Sequence, residues 1–255
     1  MSEHRLRKQI IETALAMNSL GVNRGTSGNV SARWKDGFLI TPSGRRYEET
    51  RPADIVFVDS TRSAHGKWAP SSEWRFHHDI YRKRNDAQAI VHTHSSFATT
   101  LACLRTNVPA FHYMVAVAGG RDIRCAPYAT FGTQKLSDNA LKALTNRKAC
   151  LLANHGMIAI GPGLQKALAL AVEVEALCEQ YWRALQVGKP KILPAQEMTT
   201  VIRKFRSYGS PAKSSEKLSL ASGGVRCSAQ YRAHVETEDW NKITFRNRIP
   251  EPAGA

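Results

Sequence analysis

With 255 residues, 42% hydrophobic and 22% charged, the chain has the composition of a globular protein with room for a substantial core. No apolar run reaches the 18 or so residues that a membrane helix needs, and the start lacks the apolar stretch and cleavage site of a secretion signal. The formal charge of +15 permits a nucleic-acid partner, but no helix-turn-helix, zinc-finger or RNP-like pattern accompanies it, so neither nucleic acid nor membrane is expected as a partner.

Residues 3–20 are predicted to form an amphipathic helix stopped by Gly21, with Leu6, Ile10, Ile11, Ala14, Leu15 and Met17 near one face. The small-residue loop of "GTSGNVSAR" runs into a strand. "GFLITPSG" is a second strand, ended by Pro42 and Gly44, and "DIVFVD" a third, with an Asp-Ser-Thr turn behind it. "SSEWRFHHDIYRKR" has helical spacing, with Trp74, His78 and Tyr81 at i, i+4 and i+7. Ser72 is its expected N-cap, with Glu73 in the first turn, where the helix dipole favours a negative charge. "AQAIVHTH" reads as a strand and "SSFATTLACLR" as a helix. "FHYMVAVAGG" follows a Pro-led loop, then a short strand in "DIRCAPY" and a helix in "TQKLSDNALKALTNR". "KACLLANHGMIAIG" reads as two strands joined through Asn154, His155 and Gly156. A long helix, closed by Gly188 and Pro190, and a last helix in "EMTTVIRKFRSYG" complete the series. Strands and helices mix without a repeat, which predicts an α/β or α+β domain with helices covering a sheet. Residues 210–255 are rich in Ser, Ala and charge and are expected to be a flexible C-terminal extension of a domain spanning residues 1–209. Five cysteines without CxxC spacing suggest a reducing compartment, taken as the cytoplasm.

Nine histidines are present. His92 and His94 stand two apart at the end of an apolar strand, so their rings share a face. Two core rings bonded to the backbone would be the plain reading, but two imidazoles converging at a strand end are what a metal site requires. His155, also where an apolar run ends and with Gly156 behind it to free the backbone, is the best third ligand. Three imidazoles suit Zn²⁺ with one position left open for substrate. His77 and His78 are adjacent on a helix, face different ways, and are read as structural, as are His4, His65 and His234. Glu73 is the nearest acid–base candidate. Ser71 and Ser72 beside it, "GTSGN" (Gly25 to Asn29) and "TPSG" (Thr41 to Gly44) are three small-residue loops suited to an anion. GxxxxGK[ST] and GxGxxG are both absent, so no nucleotide fingerprint exists.

These motifs, in order with "PSSEWRFHHDIY", "AIVHTH", "HYMVAVAGG", "CAPYATFGT", "LLANHGMIAIG" and "KFRSYG", resemble the class II aldolase/adducin-head family, and within it the bacterial L-fuculose-phosphate aldolase branch. The resemblance runs from about residue 5 to Gly209. It implies a three-layer αβα fold with a largely antiparallel central sheet and a homotetramer with sites at subunit interfaces. It implies one zinc ion per subunit on His92, His94 and His155, which Glu73 can also approach. Glu73 matches the family's acid/base, and Tyr113 a tyrosine reaching the site from a neighbouring subunit. Thr26, Gly28, Asn29, Ser43, Gly44, Ser71 and Ser72 match its phosphate-binding positions, and Tyr208 a residue that helps cover the site. The implied reaction is retro-aldol cleavage of a ketose 1-phosphate such as L-fuculose 1-phosphate to dihydroxyacetone phosphate and a short aldehyde. A pentulose-phosphate 4-epimerase, a methylthioribulose-1-phosphate dehydratase and a non-catalytic adducin-like binding module are the alternatives on the same scaffold.

Overall fold

Strand β5, Ala89–Thr93, is buried along its whole length and lies at the centre of the sheet. The computed structural model describes residues 1–205. Eight strands run in the order β4-β3-β2-β1-β5-β8-β7-β6. They are β1 (Asn29–Trp34), β2 (Gly37–Ile40), β3 (Val56–Val58), β4 (Ala64–His65), β5, β6 (Arg124–Ala126), β7 (Ala149–Leu152) and β8 (Gly156–Gly161). Every pairing is antiparallel except β6 with β7.

Strand alternation divides the core into two layers. Ala89 and Val91 of β5 join Val30, Leu39, Leu151 and Met157 on one face. That face is covered by α1 (Glu3–Ser19), α3 (Ser96–Cys103), α5 (Leu164–Val187) and α6 (Ala195–Phe205). Ile90 joins Phe38, Ile40, Cys150 and Ile158 on the other, under α2 (Trp74–Lys83) and α4 (Gln134–Ala143). The result is a three-layer arrangement with a mostly antiparallel sheet in the middle.

Several expectations are corrected. The buried face of α1 is Leu6, Ile10, Thr13, Ala14 and Met17, whereas Leu15 is exposed. The spacing of 3.6 residues per turn puts Thr13 inward in its place, and its hydroxyl is satisfied by donating to the Gln9 carbonyl at 2.7 Å. Helix α2 starts one residue later than expected, with Glu73 rather than Ser72 at the cap position and no side-chain capping bond. It is also buried continuously from Phe76 to Tyr81, because it packs against both the sheet and α4, its neighbour in the same layer. The basic run after it is partly structural: the Arg84 guanidinium donates to the Leu144 and Arg147 carbonyls at 2.8 and 2.9 Å, beyond the end of α4. The "FHYMVAVAGG" stretch forms a 3₁₀ helix, Tyr113–Ala118, capped by His112 Nδ1, which accepts from the Met114 N–H. Cys103, Cys125, Cys150 and Cys178 are free thiols. No helix among the described residues is long and apolar enough to cross a membrane. The extension at 210–255, Tyr208, His234 and Cys227 lie outside the described residues.

Candidate active site

The site forms where β5 ends. His92 is the register partner of Asn29 on β1 and of Ile158 on β8. Both neighbouring strands must close on this end, and two glycines permit it. A Cβ on Gly28 would stand 2.6 Å from the His92 carbonyl oxygen, and one on Gly156 only 2.3 Å from that of Thr93. The role of Gly156 is therefore close approach rather than the freed backbone expected from the sequence. The left-handed residue of this hairpin is Asn154, at φ 53°. Past His94 the chain turns into α3, where the Glu175 carboxylate from α5 accepts from the Phe97 and Ala98 N–H groups at 2.8 Å each. A carboxylate there answers the unpaired donors and the dipole of the helix start.

His92, His94 and His155 meet as a triangle of rings, each pair 4.9 Å apart between centroids and inclined at 73–78°. One ring nitrogen of each histidine and one carboxylate oxygen of Glu73 all lie within 4.8 Å of one another. His92 Nδ1 lies 2.8 Å from the Met157 carbonyl and donates to it, which leaves Nε2 as a lone pair facing inward. His92 Nε2 is 3.0 Å from His94 Nε2. Ligands 2.0–2.1 Å from a tetrahedral ion stand about 3.3 Å apart, so the cluster has the right scale for one. Glu73 Oε2 is 2.9 Å from His92 Nε2, and Oε1 is 3.0 Å from His155 Nε2 but receives no properly aimed hydrogen bond. A buried carboxylate oxygen without a donor, beside three converging imidazoles, fits a cation better than it fits a closed protein core.

The groups of the cluster shift one another's protonation. Burial alone would raise the Glu73 carboxyl, but the imidazoles of His92 and His155 outweigh it and hold the group well below the usual carboxylate range. Burial opposes protonation of His92, but Glu73 overrides it and the net shift is upward. Burial, then His92 and His155, push His94 down to about 3, which keeps it neutral. The ionised Glu73 carboxylate and the neutral His94 ring are forms that bind metal, whereas His92, whose protonated form Glu73 favours, would release its proton on binding one.

The small-residue loops are tied around this cluster. Pro42 and Pro70 form an antiparallel bridge that joins the Thr41–Gly44 loop to the Ser71–Ser72 segment. The Thr41 hydroxyl accepts from the Val30 N–H at 3.2 Å, and the Tyr47 hydroxyl donates to the Gly28 carbonyl. Thr26, Ser43, Gly44 and Ser72 are exposed, while Gly28, Asn29 and Ser71 are buried. Asn29 turns its side chain to Glu73, with Nδ2 donating to Oε2 at 3.1 Å. Tyr113 is about half exposed and lies against His112 and Phe205. Tyr47 and the Asn29–Glu73 bond were not anticipated from the sequence. Neither has a spacing signal, because both contacts join residues far apart in the chain.

A mostly antiparallel sheet between helix layers, with a histidine triad and a carboxylate at the end of its central strand, defines a metal-dependent lyase of the class II aldolase type. The chain belongs to the class II aldolase and adducin N-terminal domain family, which it matches over residues 8–182. A Rhodospirillum rubrum protein named 5-methylthioribulose-1-phosphate/5-deoxyribulose-1-phosphate aldolase is 58% identical over 208 residues, which are 82% of this chain and 94% of that protein. The L-fuculose phosphate aldolase of Escherichia coli K12 is 49% identical over 210 residues, 82% of this chain and 98% of its own. A solved structure of an L-fuculose 1-phosphate aldolase superposes with a TM-score of 0.77 at 41% identity, covering 79% of this chain and 96% of that one. The chain is accordingly a metal-dependent aldehyde-lyase, and the non-catalytic alternative falls away.

Proposed function

We propose that the enzyme cleaves a ketose 1-phosphate between C3 and C4 to dihydroxyacetone phosphate and a short aldehyde, with Zn²⁺ held by His92, His94 and His155. The observation that carries this reading is the convergence of three imidazoles and an ionised carboxylate beside loops suited to a phosphate. The names of the similar proteins support it, because the substrates stated for the 58% relative and for the solved structure are ketose 1-phosphates that differ beyond the bond to be broken. The 58% relative directs attention to a methylthio or methyl end, and the 49% relative to the L-fuculose 1-phosphate expected from the sequence.

Held by His92, His94 and His155, Zn²⁺ would supply Lewis-acid stabilisation of negative charge on the substrate. The chain does the rest. Glu73 moves the proton at C3, a role supported by its Oε1 oxygen, which no hydrogen bond occupies. The loops of Thr26, Gly28 and Asn29, of Ser43 and Gly44, and of Ser71 and Ser72 hold the phosphate, so that remote binding fixes the reacting carbons. Tyr113, exposed on its own subunit, serves the aldehyde oxygen of a neighbouring site in a homotetramer. The test is product analysis with the full chain, metal-loaded, on 5-methylthioribulose, 5-deoxyribulose and L-fuculose 1-phosphates. Dihydroxyacetone phosphate plus the matching aldehyde is expected from at least one. Water loss or an epimeric pentulose phosphate in place of cleavage would overturn the reading in favour of a dehydratase or epimerase.

A further inference from the structure

The carboxylate of Glu73 is the end of a buried chain of hydrogen bonds that leads away from the metal cluster. Asn29 Nδ2 donates to Glu73 Oε2 at 3.1 Å, His77 Nε2 is 2.6 Å from Asn29 Oδ1, Ser31 Oγ is 2.7 Å from His77 Nδ1, and the Tyr81 hydroxyl is 2.8 Å from Ser31 Oγ. All five side chains are at least 95% buried. Two periodicities make the chain. Glu73, His77 and Tyr81 are four apart and form one stripe of α2 and its cap, rising about 6 Å per step. Asn29 and Ser31 are two apart on β1 and share its α2-facing side, rising about 6.7 Å. The steps nearly match, so helix and strand residues alternate like the teeth of a zipper.

Chemistry gives the chain one direction. An ionised carboxylate only accepts, so Asn29 must present Nδ2 to Glu73 and Oδ1 to His77. His77 then donates from Nε2, its Nδ1 accepts from the Ser31 hydroxyl, and Ser31 accepts from Tyr81. Burial, with His92 nearby, pushes His77 down to about 3, so the neutral ring that this order needs is the stable one. Rotating the Asn29 amide by half a turn would set its oxygen against the carboxylate and its NH₂ against the His77 N–H.

We propose that His77 is a positioning residue that locks the Asn29 amide and, through it, the orientation of the Glu73 carboxylate. This rests on Glu73 being the acid/base. Outer partners of this kind typically change activity by about 10–100-fold. In the metal-loaded full-length enzyme, His77→Leu should lower kcat by about that factor, with a much smaller rise in KM and unchanged metal content. His77→Gln, whose amide N–H can stand where Nε2–H stood, should restore most of the loss. A second readout needs no turnover. Nitrogen NMR of the metal-free protein should show His77 as the Nε2–H tautomer and the Asn29 side-chain amide protected from exchange, with that protection lost in His77→Leu and kept in His77→Gln. Wild-type kcat and a still-protected Asn29 amide in His77→Leu would overturn the proposal, as would an Nδ1–H tautomer. If the leucine variant fails to fold, the tautomer and Ser31→Ala decide: wild-type kcat in Ser31→Ala with an Nδ1–H ring is the overturning result, and a several-fold loss of kcat with an Nε2–H wild-type ring the supporting one. Full turnover in Glu73→Gln would instead sink the acid/base reading, while an inactive Glu73→Gln beside a fully active His77→Leu would sink only the positioning role.

Discussion

The two faces of β5 are built from alternate residues of one strand, yet they hold their surroundings by different means. On one face Ala89 and Val91 lie in an apolar layer with Leu101 and Val174, where each buried methylene contributes about 0.8 kcal/mol and direction hardly matters. On the other, Ile90 gives way to His92 and then His94, and the neighbours are Asn29, Ser31, Glu73, His77 and Tyr81. There each polar group needs a particular partner at a particular angle. Burial by itself would disfavour the ionised Glu73, and the imidazoles outweigh it. The difference teaches that stability and chemistry are separable on a single strand, because its side chains alternate between two environments.

Three substitutions would break or sharpen this contrast. The largest effect is expected from His94→Ala, which removes one of three converging imidazoles. Bound metal and turnover should disappear together, read by metal analysis of the purified protein beside the cleavage assay. A variant with a full complement of metal would show that the polar face is not the metal centre. Next, Glu73→Gln keeps the shape and removes the charge. It should retain metal yet lose about 10²–10⁴-fold in turnover, the usual range for a general acid/base; undiminished kcat would refute that role. The smallest effect on chemistry is expected from Leu101→Ala on the apolar face, where the side chain is fully buried. Denaturant unfolding should show a loss of about 2–5 kcal/mol, while kcat per folded molecule stays near wild type. A fall in kcat comparable to that of Glu73→Gln would mean that the two faces are coupled through the sheet.

Much of the site is legible residue by residue. His92 and His94 declare themselves through strand spacing, His155 through its parallel setting at the end of another apolar run, and Glu73 through the serines before a helix. The cap assignment fails because Glu73 turns its carboxylate to the imidazoles and Asn29, so the helix start is held by other means. His77 reads as structural because adjacency to His78 is all that its local sequence shows. Its partner Asn29 is 48 residues away. Tyr47, which ties its segment to Gly28, has no local signature either.

By itself the sequence determined the mixed strand-and-helix character of the chain, the positions of most elements, and the residue types of a metal site. Those properties are local: apolar periodicity, turn residues and ligand spacing are all expressed within a few neighbouring positions. Only the tertiary structure decided the order of the eight strands and the parallel β6–β7 pair. It alone decided the closure of Gly28 and Gly156 on β5, and the matched rise of α2 and β1 that aligns four polar side chains behind Glu73. These depend on which distant segments meet and at what height, and hydrogen bonds between side chains dozens of residues apart leave no periodic trace in the chain that makes them.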